Sequence, residues 1–100
     1  DWQKTGADYA MHPADESQKI LHPVGEWNST RIIFTPEKVE HWLNGKLLVS
    51  FVPWSEEWQA KKNAGKWKDA DLYGSFKTGY IGFQDHSSPI WFRNIKIRKL

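Results

Sequence analysis

The sequence predicts an all-β, antiparallel sandwich with one short helix. Two observations carry that expectation. Apolar and polar residues alternate with a period of two from Trp27 onward, and Asn44-Gly45, the strongest short hairpin signal, interrupts that alternation. Composition agrees: 100 residues that are 39% hydrophobic and 26% charged match about one folded domain.

The first 26 residues, with Gly6, Pro13, Pro23 and Gly25 among polar filler, hold no sustained period and read as a loop-rich lead-in. Thr30, Ile32 and Phe34 then face one side while Arg31 and Ile33 face the other, which is a first strand. Thr35-Pro36-Glu37-Lys38 is a turn, because the fixed φ of Pro suits the second position of a type I turn. Val39, His41 and Leu43 alternate with Glu40 and Trp42 in a second strand. Asn44-Gly45 supplies the two positive-φ residues of a type I′ turn, after which Leu47, Val49 and Phe51 continue the core side of a third strand.

Pro53 ends that ladder. Ser55 is placed to cap a short helix with Glu56 and Glu57 in its first turn and Lys61 and Lys62 in its last, ahead of Gly65, so the charges oppose the macrodipole at both ends. A turn-rich stretch from Lys68 to Thr78 leads to two further expected strands, Gly79 to Gln84 and Ile90 to Arg98, joined across Asp85-His86-Ser87-Ser88-Pro89. Five strands are few for two sheets that must cover each other. The start at Asp1, straight into loop-like sequence, agrees with a domain cut in half.

Several function classes drop out on composition. Without cysteine there is no disulfide, thiolate zinc site or cysteine nucleophile. A net charge of +2 is far from the basic stripe that selects phosphate backbones, so no nucleic-acid partner is expected. Neither a membrane span nor a leader peptide is read. No HxxxH or HExxH pattern offers a zinc site, and His12 and His22 show no partner spacing. Seven Trp, five Phe and three Tyr make sugar or peptide recognition the plausible use of the surface.

Strand parity sorts the candidates. With Ile32, Phe34, Val39, His41, Leu43, Leu47 and Val49 toward the core, Arg31, Glu40 and Trp42 lie on the opposite face. In the fourth strand Ile81 and Phe83 point inward, which sets Tyr80, Gly82 and Gln84 on that same opposite face and His86 at its rim. Simpler readings stand beside these. Arg31 and Glu40 also fit an ordinary cross-strand ion pair, His86 a polar loop residue, and His41 a packed histidine. Trp42 is the indole expected to meet a ligand, with Trp67 second. The lysines at 61, 62, 66 and 68 read as a solvated helix end, and Asn28-Ser29-Thr30 matches a glycosylation tripeptide too common by chance to carry weight.

Four segments, Gly25-Glu26-Trp27-Asn28, Val39-Glu40-His41-Trp42-Leu43-Asn44-Gly45, Gly79 to His86 and Trp91 to Ile97, taken in this order, resemble the 3-keto-disaccharide hydrolase family. The resemblance runs from Pro23 to Leu100 and corresponds to the C-terminal half of the family domain. It implies a concanavalin-like jelly-roll sandwich whose N-terminal strands are missing from this chain, unless another chain supplies them. Residues 1–100 are then the C-terminal part of one jelly-roll domain, a lead-in over 1–26 followed by strands and a helix over 27–100. The family is common in secreted or periplasmic bacterial proteins, and it is associated with cleaving glycosides oxidised at C3.

That chemistry suits the residues. A C3 carbonyl acidifies the C2 proton, so one base and one enolate stabiliser can expel the C1 substituent, where ordinary glycosidases need two carboxylates. His86 is expected to act as base or acid, a cation such as Arg31, Arg93 or a bound metal to hold the oxyanion, and Glu40 to bind a metal, accept a substrate hydroxyl or orient a histidine. Trp42, Gln84, His41, Arg93 and Asp85 are the expected substrate contacts, Arg93 reaching the face only through a bulge. A divalent cation is compatible with carboxylate, imidazole and sugar oxygens, but the pattern identifies no ligand set. The alternative function is a non-catalytic carbohydrate-binding module or a structural domain on a larger enzyme.

Overall fold

A computed structural model describes residues 1–100. Three strands, β1 (Thr30–Phe34), β2 (Val39–Leu43) and β3 (Lys46–Phe51), form an antiparallel sheet in the order β1-β2-β3, and one helix, α1 (Glu56–Ala64), follows. Both hairpin loops fall where expected, although Lys38 N–H donates to the Thr35 hydroxyl at 3.1 Å and not to the Thr35 carbonyl that a type I turn would use. Phe34 pairs with Val39 across a loop closed by Thr35 N–H donating to Lys38 C=O at 2.9 Å. Asn44 and Gly45 have φ of 46° and 79°, the two left-handed residues that a type I′ hairpin needs. At α1, the Ser55 hydroxyl accepts from Trp58 N–H at 3.2 Å, and the acidic first turn and basic last turn are as read.

Register confirms the parity of the first two strands. Ile32 pairs with His41 and Arg31 with Trp42, so the apolar set and the Arg31–Glu40–Trp42 set face opposite ways. In β3 the register shifts: His41 pairs with Val49 but Trp42 with Leu47, which makes Leu48 an extra residue. This corrects the expected core. Leu48 is buried together with Val49, whereas Leu47 sits on the Trp42 face and is exposed.

The lead-in is the cover of the core. Ala7 and Ala14 pack on Leu43, Leu48 and Val49, and Asp15 N–H donates to Leu48 C=O at 2.8 Å along the free edge of β3. His12 stacks on Phe51 with ring centroids 4.1 Å apart. All of these contacts lie over β2 and β3, so Ile32 and Phe34 on β1, expected in the core, stay exposed. Asn44 ties the lead-in to the hairpin: its carbonyl oxygen accepts from Ser29 N–H, and its amide donates to Ile20 C=O and to Asn28 Oδ1, each at 2.8 Å. Asn28, part of the glycosylation-like tripeptide, is engaged in this clamp.

Residues 79–98 differ from expectation. Neither Gly79 to Gln84 nor Ile90 to Arg98 forms a strand, and every residue from Gly74 to Leu100 is exposed. The two segments do meet, with the rings of Phe83 and Phe92 4.6 Å apart, but without a backbone ladder. A two-stranded hairpin with no layer over its apolar face is marginal in water. The accessible surface carries the same message: it is 8411 Å², against about 5,900 Å² for a compact monomer of this mass.

Candidate functional site

Glu40 is the centre of the polar sheet face. Alternation in β2 puts it there beside Trp42, and although it is a carboxylate it is buried, at 8% exposure. One oxygen accepts from Lys38 Nζ at 2.6 Å and the other from the Trp42 indole N–H at 3.0 Å. The lysine bond first, then the indole bond, hold its carboxyl below the usual range against the opposing effect of burial. Glu40 is therefore an ionised acceptor at neutral pH, with the adjacent indole fixed by the same bond. The expected Arg31–Glu40 ion pair is not formed. Arg31 stands opposite Trp42, Ile33 stands opposite Glu40, and Lys38 takes the carboxylate instead.

The structure thus brings Arg31, Glu40 and Trp42 together. His41 lies on the other face, half-buried, with Nδ1 3.4 Å from Gly6 C=O. Gln84, Asp85 and His86 lie on the exposed segment and make no hydrogen bond to the sheet residues; Asp85 accepts from Ser87 N–H at 3.1 Å. Arg93 is placed over the Trp27 ring at 4.1 Å, where it ties the last segment to the residue preceding the hairpins. Trp67 is half-buried, stacked on Tyr73 at 4.6 Å. The lysine-rich helix end is not simply solvated, because Lys62 is buried and Lys66 lies over the Tyr9 ring at 4.5 Å.

No three Asp, Glu or His side chains of this chain are gathered closely enough to hold a metal ion. No helix is long and apolar enough to cross a membrane.

Sequence reasoning missed one polar pair. Asp8 Oδ2 and His12 Nδ1 are 2.8 Å apart, with the histidine buried. The pairing depends on Ala10 at φ 61°, which closes a tight turn so that Asp8 and His12 also exchange backbone bonds of 2.9 Å. An i,i+4 spacing signals contact in a helix, and this segment is not helical, so no periodic signal marked it. Asp8 borders a cleft of about 250 Å³ walled by Phe34, Phe51, Trp54, Trp58 and Tyr73. A wider hollow of about 480 Å³ lies open at Asp85, Ser87, Ser88, Pro89 and Ile90 and is built by one loop alone. Arg31, Glu40 and Trp42 line neither.

The chain is similar to known proteins. The sequence model of the 3-keto-alpha-glucoside-1,2-lyase-like domain matches residues 1–98, so the likeness read from Pro23 onward extends over the lead-in as well. A 3-keto-disaccharide hydrolase of Bacteroides thetaiotaomicron is 34% identical over 102 residues, covering 92% of this chain and 34% of the relative. A crystal structure from Parabacteroides distasonis, described as that of a candidate glycosyl hydrolase, superposes with a TM-score of 0.66 at 45% identity, over 76% of this chain and 33% of that one. The chain spans about a third of the length of both. The single antiparallel three-stranded sheet followed by one short helix is consistent with a fragment of the jelly roll expected from the sequence.

Proposed function

The chain belongs to the 3-keto-alpha-glucoside-1,2-lyase-like domain family, and from that premise we propose that it contributes the carboxylate-bearing face of an enzyme that cleaves glycosides oxidised at C3. The observation that carries the reading is Glu40: a buried, ionised carboxylate locked between Lys38 and the Trp42 indole, with Arg31 of β1 paired opposite Trp42. A carboxylate held ionised by these two bonds is a fixed acceptor on the polar face.

In the proposed reaction His86 takes the C2 proton. The C–H electron pair forms the C2–C3 double bond of an enolate, whose oxygen Arg31 stabilises. The enolate then re-forms the C3 carbonyl and expels the C1 substituent, which leaves as an alcohol after taking up a proton. Water added at C1 completes a hydrolysis; without it the outcome is a lyase product. Glu40 accepts a substrate hydroxyl, Trp42 offers its ring to the C–H face of the sugar, and Gln84 and Asp85 accompany His86. The reading requires Gly79 to His86 to come alongside the polar face.

Turnover of p-nitrophenyl 3-keto-α-glucoside by the full-length protein tests this. Nitrophenolate release that falls about a hundredfold or more in His86→Ala and in Glu40→Gln supports the assignment. Unchanged release in His86→Ala removes the imidazole from the reaction. A second reading, a sugar-binding module without catalysis, is favoured by the absence of any hydrogen bond between His86 and the Glu40 face. Sugar binding without release selects it.

A further inference from the structure

The proposed reaction leaves one built feature without a task, the aromatic cleft on the side of the sheet away from Glu40. Its volume of about 250 Å³ is that of roughly eight waters, enough to admit a monosaccharide ring. Apolar walls alone would make it an ordinary gap in packing. What sets it apart is a pair of polar groups at its border. Asp8 uses Oδ2 for His12 and makes no hydrogen bond through Oδ1, and the Tyr73 hydroxyl makes none within the chain. Burial first, then the negative charge of Asp8, push the Tyr73 phenol up to about 12, so at neutral pH it stays protonated and able to donate.

A second observation concerns the backbone. Trp54 is held at φ 60°, a left-handed conformation that a bulky side chain adopts only at a cost. The indole is then fixed from three directions: its N–H donates to Gly74 C=O at 2.5 Å, Phe34 meets it edge-on at 5.7 Å, and Lys77 Nζ stands over the ring at 4.6 Å. Gly74 is required for this closure, because a Cβ there would lie 2.7 Å from the Trp58 ring. A strained, immobilised indole beside an unpaired carboxylate oxygen and an unpaired phenol has the makings of a sugar platform: a flat apolar surface for C–H groups, one acceptor and one donor for hydroxyls.

We propose that the cleft bordered by Trp54, Tyr73 and Asp8 is a second carbohydrate subsite, which holds one pyranose ring against the aromatic wall with hydroxyls bonded to Asp8 Oδ1 and the Tyr73 hydroxyl. It rests on the glycoside reading for its ligand class, and it lies on the opposite side of the sheet from the proposed reaction face. Its role is to hold a sugar that is not being cleaved.

The two sites have separate reporters, the indole N–H resonances of Trp54 and Trp42. Full-length protein is titrated with methyl α-D-glucopyranoside, which lacks the C3 carbonyl. The Trp54 signal is expected to move saturably, with Kd raised about fivefold in Tyr73→Phe, which keeps the ring stack, and raised similarly in Asp8→Asn. Nitrophenolate release from the 3-keto substrate judges the reaction independently. If the Trp54 signal stays fixed while release proceeds, the subsite is overturned and the enzyme reading stands. If Trp54 responds without any release, the subsite stands and the enzyme reading falls. A shift at Trp54 that neither variant weakens also overturns the subsite.

Discussion

Residues 30–51 and residues 79–98 carry the same kind of sequence, alternating apolar side chains broken by a turn, yet only the first region is a sheet. In the first, the side chains of Leu43, Leu48 and Val49 are covered by the lead-in. In the second, Ile81, Phe83, Ile95 and Ile97 are all more than half exposed, and the two segments meet through the Phe83–Phe92 contact without a backbone ladder. Alternation therefore specifies which residues share a face, whereas a strand exists only where a neighbour takes its backbone bonds and a layer takes its apolar face. The same difference explains why β1 is half in each condition: it pairs with β2, but nothing covers Ile32 and Phe34.

The sharpest way to test the contrast is to delete equivalent side chains in the two regions. Leu43→Ala, at a position 1% exposed, is expected to cost about 2–5 kcal/mol in urea unfolding. Ile95→Ala is expected to stay within about 0.5 kcal/mol. Equal costs would mean that the 79–98 segment is packed as well as the sheet. Next in size is Asn44→Ala, which removes three side-chain bonds and a residue tolerant of positive φ, for about 2 kcal/mol by the same measurement. Ser55→Ala, which uncaps α1, should lose about 1 kcal/mol, and thermal melting followed by circular dichroism will show whether the helix signal frays first.

The smallest effect is electrostatic. Because Glu40 titrates below its ordinary value of 4.5 in the folded chain, its contribution to stability is full above that value and is lost as the pH falls through the lowered one. Wild type should therefore lose stability on acidification more steeply than Glu40→Gln. Parallel curves would show that Lys38 and Trp42 do not stabilise the charge.

Much of this was legible from residue order. Thr35-Pro36, Asn44-Gly45 and Ser55 each act through local backbone chemistry, and all three appear where that chemistry puts them. Parity placed Arg31, Glu40 and Trp42 on one face correctly. It failed at Leu47 because Leu47, Leu48 and Val49 are all apolar, so the pattern offers no clue to which of two adjacent leucines is the bulge. Strand pairing points Glu40 to a cross-strand cation, whereas Lys38, an i,i+2 neighbour, reaches its carboxylate at 2.6 Å. The Asp8–His12 pair arises from a left-handed alanine, which no propensity favours.

What residue order determined by itself is therefore mostly local, in turns, a helix cap and the faces of β2, together with membership of a family whose sequence model matches residues 1–98. Tertiary structure decided the rest, namely which alternating segments become strands, which leucine is buried and which cation holds Glu40. The reason is one of range. Turn and cap energies depend on a few consecutive residues, while pairing, burial and charge partnership depend on what the remainder of the chain brings alongside.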